Sequence, residues 1–337
     1  MATIKDIAQQ AGVAPSTVSR VLSGDKTLSV SRGTRSAIQN IATELGYRSP
    51  RQRKAEQDSG PTFAARSHYQ LCNDNALSLA VVHFLTPNEE LNDPYFTSIR
   101  IGIENCCHSN NISLRNTFKT NIETNKHFLR DAQAVICIGH FSDAEAELLY
   151  SLNPKLIFID SNPLPSQADS VQFNREAAAQ EIVQHIIASG AQRPAFIGNN
   201  ETRLHVFQSV MKAHEIYNEH FCTVSRNFCI ESGYNAMSDM LNMSPYPDVV
   251  FASTDIIAIG VYRAIQERNL RIPEDIKVVG MNDNPTSQHL NPSLTTMRLY
   301  PANMGEAAVD LFLELCRGRS YKKDVFLGYN FIWRESF

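Results

Sequence analysis

The stretch TIKDIAQQAGVAPSTVSRVLS, residues 3–23, predicts two short helices joined by a tight turn. Thr3 stands three residues before Asp6, the spacing at which a threonine and an acidic residue cap the start of a helix reciprocally. The apolar residues that follow recur at helical spacing, namely Ile4, Ile7, Ala8 and Ala11. Gly12 ends this helix, because a turn with positive φ favours glycine. Pro15 then begins the second helix, where its fixed φ suits the first turn.

A third helix is predicted within VSRGTRSAIQNIATELGY, residues 30–47. It should run from Ser31 to Leu45 and end at Gly46, and its inward side chains are Ile38, Ile41, Ala42 and Leu45. Two helices joined by a glycine turn and braced by a third form a helix-turn-helix, whose second helix lies in the major groove of DNA. A generic three-helix bundle shows the same spacing, so the pattern alone leaves both interpretations open.

Together, these two stretches resemble the DNA-binding head of the lactose-repressor (LacI/GalR) family. The resemblance implies that Pro15, Ser16 and Arg20 read base edges, since an arginine can give two donors to guanine. It implies phosphate-facing or capping roles for a further set of polar side chains, namely Thr3, Thr17, Ser19, Ser31, Thr34 and Arg35. The family usually has Ser or Thr where this chain has Ala14, so the side-chain cap of the second helix is expected to be absent.

The segment after the head, residues 49–77, is basic at its start and has no apolar face. In the family, this segment forms a hinge helix on the operator and inserts a leucine into the minor groove. The position of that leucine corresponds here to Ala55, whose methyl group cannot open a base step, so we expect no strong kink. Arg51, Arg53 and Lys54 are then expected to contact the DNA backbone or minor groove. The alternative is a solvated, flexible tether.

The charge of the chain is distributed unevenly. The whole sequence carries a net charge of −4, which taken alone argues weakly against a nucleic-acid partner. Residues 1–54, however, contain nine basic and three acidic side chains, a net charge of +6 that leaves −10 for the remainder. A small basic head on a large acidic body predicts an anion-binding module joined to a domain of another function.

Composition excludes several classes of protein. No run of about 18 apolar residues occurs, and the start of the chain has no apolar signal-peptide core, so we expect a cytoplasmic protein. The seven cysteines are odd in number and form no CxxC pair, which favours reduced thiols over a disulfide frame or a zinc site. The GxGxxG, Walker, HExxH and GxSxG patterns are absent from the sequence, so we expect no cofactor, no metal and no enzymatic activity.

Short apolar runs alternate with helical patterns through residues 78–337. Such alternation predicts an α/β fold of doubly wound parallel sheets, and at this length two sheets with a cleft between them fit better than one. Ligands of such folds bind at the carboxyl ends of the strands. We expect an N-subdomain of residues 78–160 and 298–322, and a C-subdomain of residues 161–297 and 323–337.

Four stretches of this body resemble the effector-binding core of the same family, which is related to periplasmic sugar-binding proteins. They are NDPYFTSIRIGIE (92–104), LIFIDSN (156–162), VFASTDIIAIGVYRAIQERNLRIPEDIKVVGMND (250–283) and NPSLTTMR (291–298). The first of them is similar to repressors of β-galactosidase operons. The resemblance implies a sugar pocket lined by Asp93, Tyr95, Phe96, Asp160, Arg203, Phe228, Thr254 and Asn282.

Some of these assignments leave alternatives open. Asp160 would accept hydroxyl hydrogen bonds, or else cap a turn. Arg203 would chelate sugar hydroxyls, although a gapless alignment places Gln208 at that position. Phe228 would stack on the sugar or belong to the core, and Asp255 is expected to cap its helix.

The resemblance implies a repressor of a galactoside-utilisation operon, which a sugar effector releases from its operator. A homodimer is expected, because the leucine-heptad tail that tetramerises the lactose repressor is absent from the sequence. Two other interpretations stay open: a family member that uses a non-sugar corepressor such as a purine, and a sugar-processing enzyme with an added DNA-binding head.

Overall fold

A computed structural model describes residues 3–22, 30–44, 77–90, 94–225 and 229–337. The chain divides into two compact units, one within residues 1–73 and the other within residues 74–337. In the described segments, no helix is long and apolar enough to cross a membrane.

Within its described residues, the first unit contains three helices: α1 (Ile4–Ala11), α2 (Pro15–Leu22) and α3 (Arg32–Glu44). Thr3 caps α1 as predicted: its backbone N–H donates to Asp6 Oδ2 at 2.8 Å, and its hydroxyl accepts from the Asp6 N–H at 3.3 Å. Gly12 follows α1 with a φ of 62°, the left-handed turn predicted there. One small core joins the three helices, made of Ile7, Ala8, Val18, Val21, Ile38 and Ala42. Leu45, the predicted last residue of this helix, and Gly46, its predicted stop, lie outside the described residues.

The second unit is built on two six-stranded sheets. The first sheet has the strand order β11-β5-β4-β3-β1-β2 and is parallel throughout. Its strands are β1 (Ser78–His83), β2 (Ser113–Phe118), β3 (Ala134–Gly139), β4 (Leu156–Asp160), β5 (Asp169–Phe173) and β11 (Asp324–Leu327). The helices that connect these strands or cover them are α4 (Pro87–Glu90), α5 (Pro94–Ser109), α6 (Lys126–Asp131), α7 (Asp143–Leu152) and α12 (Pro301–Cys316).

The second sheet has the order β12-β10-β9-β8-β6-β7, and only its edge strand β12 is antiparallel. Its strands are β6 (Pro194–Gly198), β7 (Cys222–Val224), β8 (Val249–Ala252), β9 (Lys277–Asn282), β10 (Thr295–Arg298) and β12 (Asn330–Ile332). Its helices are α8 (Arg175–Ala188), α9 (Thr202–Ala213), α10 (Ile230–Met240) and α11 (Asp255–Glu267). The predicted fold of two doubly wound sheets is confirmed.

The boundary between the halves differs from the predicted one. The predicted C-subdomain includes the residues of β5 and β11, but β5 pairs with β4 and β11 pairs with β5, so both strands belong to the first sheet. The reason is that the turn after Asp160 brings the chain back to the sheet it has just left. The chain therefore passes between the sheets three times: between β5 and α8, between β10 and α12, and between β11 and β12.

Two pairs of helices pack backbone against backbone, one pair in each half. In the α5–α12 pair, a Cβ added to Gly102 would lie 2.1 Å from the carbonyl oxygen of Ala302. In the α10–α11 pair, a Cβ added to Gly260 would lie 1.9 Å from the carbonyl oxygen of Ile230. Each pair also has a glycine on the opposite helix, Gly305 and Gly233 respectively. Since a Cβ cannot approach another atom this closely, both contacts require glycine.

Asp255 holds together the second half of the body. Its side chain is fully buried, and Oδ2 accepts from the Asn284 N–H and from the Ser287 hydroxyl, each at 2.7 Å. Oδ1 accepts from the Thr296 hydroxyl of β10 at 2.6 Å. The prediction that Asp255 caps α11 is wrong, because Thr254 is the cap and its hydroxyl accepts from the Ile257 N–H at 3.4 Å. Burial outweighs the three hydrogen bonds and raises the pKa of Asp255 to about 6.

This raised pKa predicts a pH dependence of stability. A group whose pKa is higher in the folded than in the unfolded chain stabilises the fold at low pH, and this stabilisation is lost as the pH rises through the folded value. Between pH 4.5 and 7.5, the free energy of unfolding of the wild type should therefore fall relative to that of Asp255→Asn, by about 2 kcal/mol. Urea unfolding at each pH measures this difference.

The control for this measurement is Asp275→Asn. Asp275 is a half-buried carboxylate whose pKa is lowered by hydrogen bonds from Arg271, so removing it should produce no such fall. A constant difference between the wild type and Asp255→Asn over the whole pH range would contradict the role assigned to burial.

Candidate functional site

A cavity of about 820 Å³ lies where the carboxyl ends of strands from both sheets face each other. Asp160 ends β4 of the first sheet and Asn282 ends β9 of the second. Six of the eight predicted effector residues line this cavity, namely Tyr95, Phe96, Asp160, Arg203, Thr254 and Asn282. The other two, Asp93 and Phe228, lie outside the described residues.

The first sheet contributes an aromatic wall and a carboxylate. The Tyr95 hydroxyl donates to Asp160 Oδ1 at 2.9 Å, and burial together with the Asp160 charge raises the pKa of Tyr95. Phe96 packs edge-on against Tyr95, with ring centroids 5.1 Å apart, and Phe84 extends the cluster at 5.5 Å from Phe96. Asp160 has a φ of 79°, which turns the backbone at the point where the strand ends. An apolar ring surface beside a hydrogen-bond acceptor suits a ligand that has both C–H faces and hydroxyls.

Arg175 connects this wall to the other side of the cavity. Its Nη2 donates to Asp160 Oδ1 at 2.8 Å, and its Nε lies 3.6 Å from Glu201 Oε2. The guanidinium also sits over the ring of Phe173, 5.1 Å from the centroid. The Asp160 charge is the main cause of the raised pKa of Arg175. Because Asp160 ends a strand of the first sheet and Glu201 follows a strand of the second, one arginine bridges the two halves.

Neither Arg175 nor Glu201 was predicted from the sequence to belong to the site. Arg175 is the first residue of α8, two residues after the end of β5, a strand that was not predicted. Glu201 occupies the position before α9, three residues after the end of β6. A polar residue just beyond the carboxyl end of a parallel strand is a recognisable signal, and Glu201 carries it together with Asn199 and Asn200, which also line the cavity.

Arg203 is almost completely buried in the floor of the cavity, with 7% of its surface exposed. Its Nε donates to Glu201, and its Nη1 donates to the backbone oxygen of Ser253, which follows β8. Gln208, the alternative from a gapless alignment, instead donates to the Tyr217 hydroxyl at 3.2 Å and is absent from the described lining of the cavity. The geometry thus places Arg203, rather than Gln208, at the cavity.

Thr254 and Asn282 complete the wall of the second sheet. The Thr254 oxygen accepts the capping bond of α11, which leaves its hydroxyl hydrogen able to donate to a ligand. Asn282 has a φ of 120°, so the backbone changes direction at the end of β9 and presents an amide that both donates and accepts. Among the described residues, no group of three or more His, Cys, Asp or Glu side chains could hold a metal ion.

The helix-turn-helix unit presents a polar surface on α2. Val18 and Val21 face the core, while Pro15, Ser16 and Arg20 are exposed. The remaining predicted contact residues in the described part of the head are exposed or half-buried, namely Thr3, Thr17, Ser19, Ser31, Thr34 and Arg35. Ser31 accepts from the Thr34 N–H at 3.0 Å and so caps α3. The predicted hinge contacts Arg51, Arg53, Lys54 and Ala55 lie outside the described residues.

Two family descriptions match the chain. "Bacterial regulatory proteins, lacI family" matches residues 3–49, and "Periplasmic binding protein-like domain" matches residues 183–337. The HTH-type transcriptional repressor MelR of Bacillus subtilis (strain 168) is 31% identical over 350 residues, covering 100% of this chain and 97% of MelR. The HTH-type transcriptional regulator GanR of the same organism is 30% identical, covering 100% of this chain and 99% of GanR.

A solved structure, the complex of the transcriptional regulator CelR with cellobiose, has the same fold. Its TM-score is 0.70 at 22% identity, and the match covers 100% of both chains. The relatives are DNA-binding transcriptional regulators and not enzymes. With a helix-turn-helix head, a body of two parallel sheets and relatives of this identity over its full length, the chain belongs to the LacI family of bacterial transcriptional regulators.

Proposed function

We propose that this protein represses a sugar-utilisation operon and that a neutral sugar, a galactoside in the first instance, releases it from its operator. The observation that carries the proposal is the cavity between the two sheets, where a carboxylate, an arginine and an aromatic wall converge. These are the groups that recognise hydroxyls and the apolar face of a sugar ring. The relative MelR is a repressor, and CelR was solved with cellobiose, which supports a sugar as the effector.

In this proposal, the exposed face of α2 enters the major groove. Pro15, Ser16 and Arg20 then read base edges, and phosphates are contacted by Thr3, Thr17, Ser19, Ser31, Thr34 and Arg35. Residues 49–77 connect the head to the body, and their Arg51, Arg53, Lys54 and Ala55 contact the DNA backbone or minor groove. Two copies form a homodimer on a pseudo-palindromic operator in the cytoplasm, with half-sites about one helical turn apart.

Sugar binding is proposed to act by closing the cavity. Closure changes the relation between the two halves of the body and, in a dimer, the distance between the two segments that carry the heads. Coupling of this kind is reciprocal, so operator DNA must weaken sugar binding by the same factor by which the sugar weakens operator binding.

The first prediction concerns release by the sugar. An operator is selected from a random pool of duplex DNA with the full-length protein, and its affinity is measured by fluorescence anisotropy as galactose, lactose, cellobiose or ribose is added. A galactoside should lower the operator affinity about tenfold or more, the usual size of such coupling. Asp160→Asn should bind the operator with the affinity of the wild type, but the sugar should lower that affinity much less, because a carboxylate acceptor is lost. The control Asp275→Asn should respond to the sugar like the wild type.

Two outcomes would decide against this proposal. If none of the sugars changes operator affinity, the proposed effector class is wrong. If adenine or hypoxanthine tightens operator binding while the sugars do nothing, the protein is regulated by a purine corepressor.

The second prediction concerns base reading by the head. Arg20→Ala should weaken binding to the selected operator by about 1–3 kcal/mol and relax the preference at one base pair of each half-site. Arg35→Ala is the matched control: as a phosphate contact, it should weaken operator and random DNA alike and reduce the salt dependence of both. Equal losses on operator and random DNA for Arg20→Ala would contradict its assignment as a base-reading residue.

A further inference from the structure

We propose that Glu201 is a specificity-determining residue that keeps anionic ligands out of the cavity by occupying the arginines that would otherwise bind them. The inference rests on the proposed function, because it assigns a charge class to the effector of the same cavity. It concerns two side chains, Glu201 and Arg175, that sequence analysis did not place in the site.

The position of Glu201 is unusual for its local structure. It precedes α9 as the N-cap, where a short polar side chain normally accepts a hydrogen bond from the helix backbone. The Glu201 side chain makes no such bond. It turns instead toward the cavity, where one oxygen accepts from Arg203 Nε and the other lies 3.6 Å from Arg175 Nε. The carboxylate thus gives up a capping role and lies between two guanidinium groups.

This placement balances the charge around the two arginines, because Arg175 and Arg203 lie beside the carboxylates of Asp160 and Glu201. The described lining of the cavity contains three cations, Lys119, Arg175 and Arg203, and three carboxylates, Glu89, Asp160 and Glu201. Lys119 is paired outside this set, with Glu145 at 3.2 Å. The three carboxylates in turn have donors: Thr86 for Glu89, Tyr95 and Arg175 for Asp160, and Arg203 for Glu201.

A balanced site of this kind discriminates by charge. An uncharged polyol can exchange hydrogen bonds with these groups and leave every charge compensated. An anionic ligand would bring a second negative charge to arginines that Glu201 already neutralises, and the half-buried Glu201 carboxylate at the cavity would repel it. Arginine stays charged in proteins, so neither guanidinium can become neutral by losing its proton. Each therefore needs a negative charge beside it. Removing the Glu201 charge should therefore leave the two arginines with an excess of positive charge, which favours the binding of an anion in the cavity.

The test compares Glu201→Gln with the wild type on two pairs of probes, galactose with galacturonate and glucose with glucuronate. Each pair has the same ring, with a carboxylate replacing the hydroxymethyl group in the acid. Isothermal titration calorimetry on the full-length protein measures the affinities. Glu201→Gln should bind at least one uronate about tenfold more tightly than the wild type does, since a net positive charge now faces the ligand. Its affinity for the neutral sugars should change much less.

Two controls distinguish the effect of removing the charge at Glu201 from the effect of removing a carboxylate elsewhere. Glu89→Gln takes one negative charge from the lining of the same cavity, but Glu89 is exposed and accepts from Thr86 rather than from an arginine. It should leave uronate affinity nearly unchanged. Asp275→Asn removes a carboxylate outside the described lining of the cavity and should continue to exclude uronates. Urea unfolding of each variant establishes that it is folded.

The outcomes decide the inference separately from the proposed function. If Glu201→Gln gains no affinity for either uronate, or if Glu89→Gln gains as much, the inference is overturned, whatever the neutral sugars do. If no neutral sugar binds the wild type but Glu201→Gln gains a uronate, the charge selectivity of Glu201 is supported and the proposed galactoside effector is not.

Discussion

The second half of the body depends on the carboxylate of Asp255, buried at the junction of three segments. It ties the start of α11 to the loop after β9 and to β10, and it does so through donors on Asn284, Ser287 and Thr296. Thr254 and Asn282, on either side of this junction, line the cavity. A buried carboxylate costs free energy, as its raised pKa indicates, but it accepts hydrogen bonds that an apolar side chain could not. The cavity wall is thus held in one arrangement at the expense of stability.

Across the cavity, the two halves are connected by charge as well as by three passes of the chain. Arg175 binds Asp160 of the first half and lies beside Glu201 of the second, which in turn holds Arg203. Whenever the two halves move relative to each other, the distances between these alternating charges change. A ligand that inserts its hydroxyls among them would alter the same distances, which is the physical basis for coupling the cavity to the rest of the chain.

Most of the fold could be predicted from the sequence, because its main elements are long and regular. The capping pair Thr3–Asp6, the glycine turn and the helical spacing of Ile7 and Ile38 are local signals, and the buried parallel strands are continuous apolar runs. Five strands were not predicted, because each is short and contains polar residues: β5, β7, β10 and the two partly exposed edge strands β11 and β12. Their positions depend on pairing with distant segments.

The candidate site was predictable only in part, for a related reason. The family resemblance assigns Asp160, Arg203 and Asn282 to the site, because it compares sequences position by position. Arg175 and Glu201 could not be assigned in that way, because their importance comes from each other and from Asp160. The ion pairs join residues of different elements, and no local pattern records them.

The glycine contacts between α5 and α12, and between α10 and α11, have a consequence for mutational tolerance. Every amino-acid substitution of a glycine adds a side chain, and at Gly102 or Gly260 the first added carbon meets the backbone of the facing helix. These positions therefore have no conservative replacement, unlike an apolar core residue that can exchange with one of similar volume. Spontaneous inactivating mutations should accumulate at such codons, although neither glycine belongs to the described lining of the cavity. The positions of inactivating mutations would then point to the contacts between helices rather than to the functional sites that these helices support.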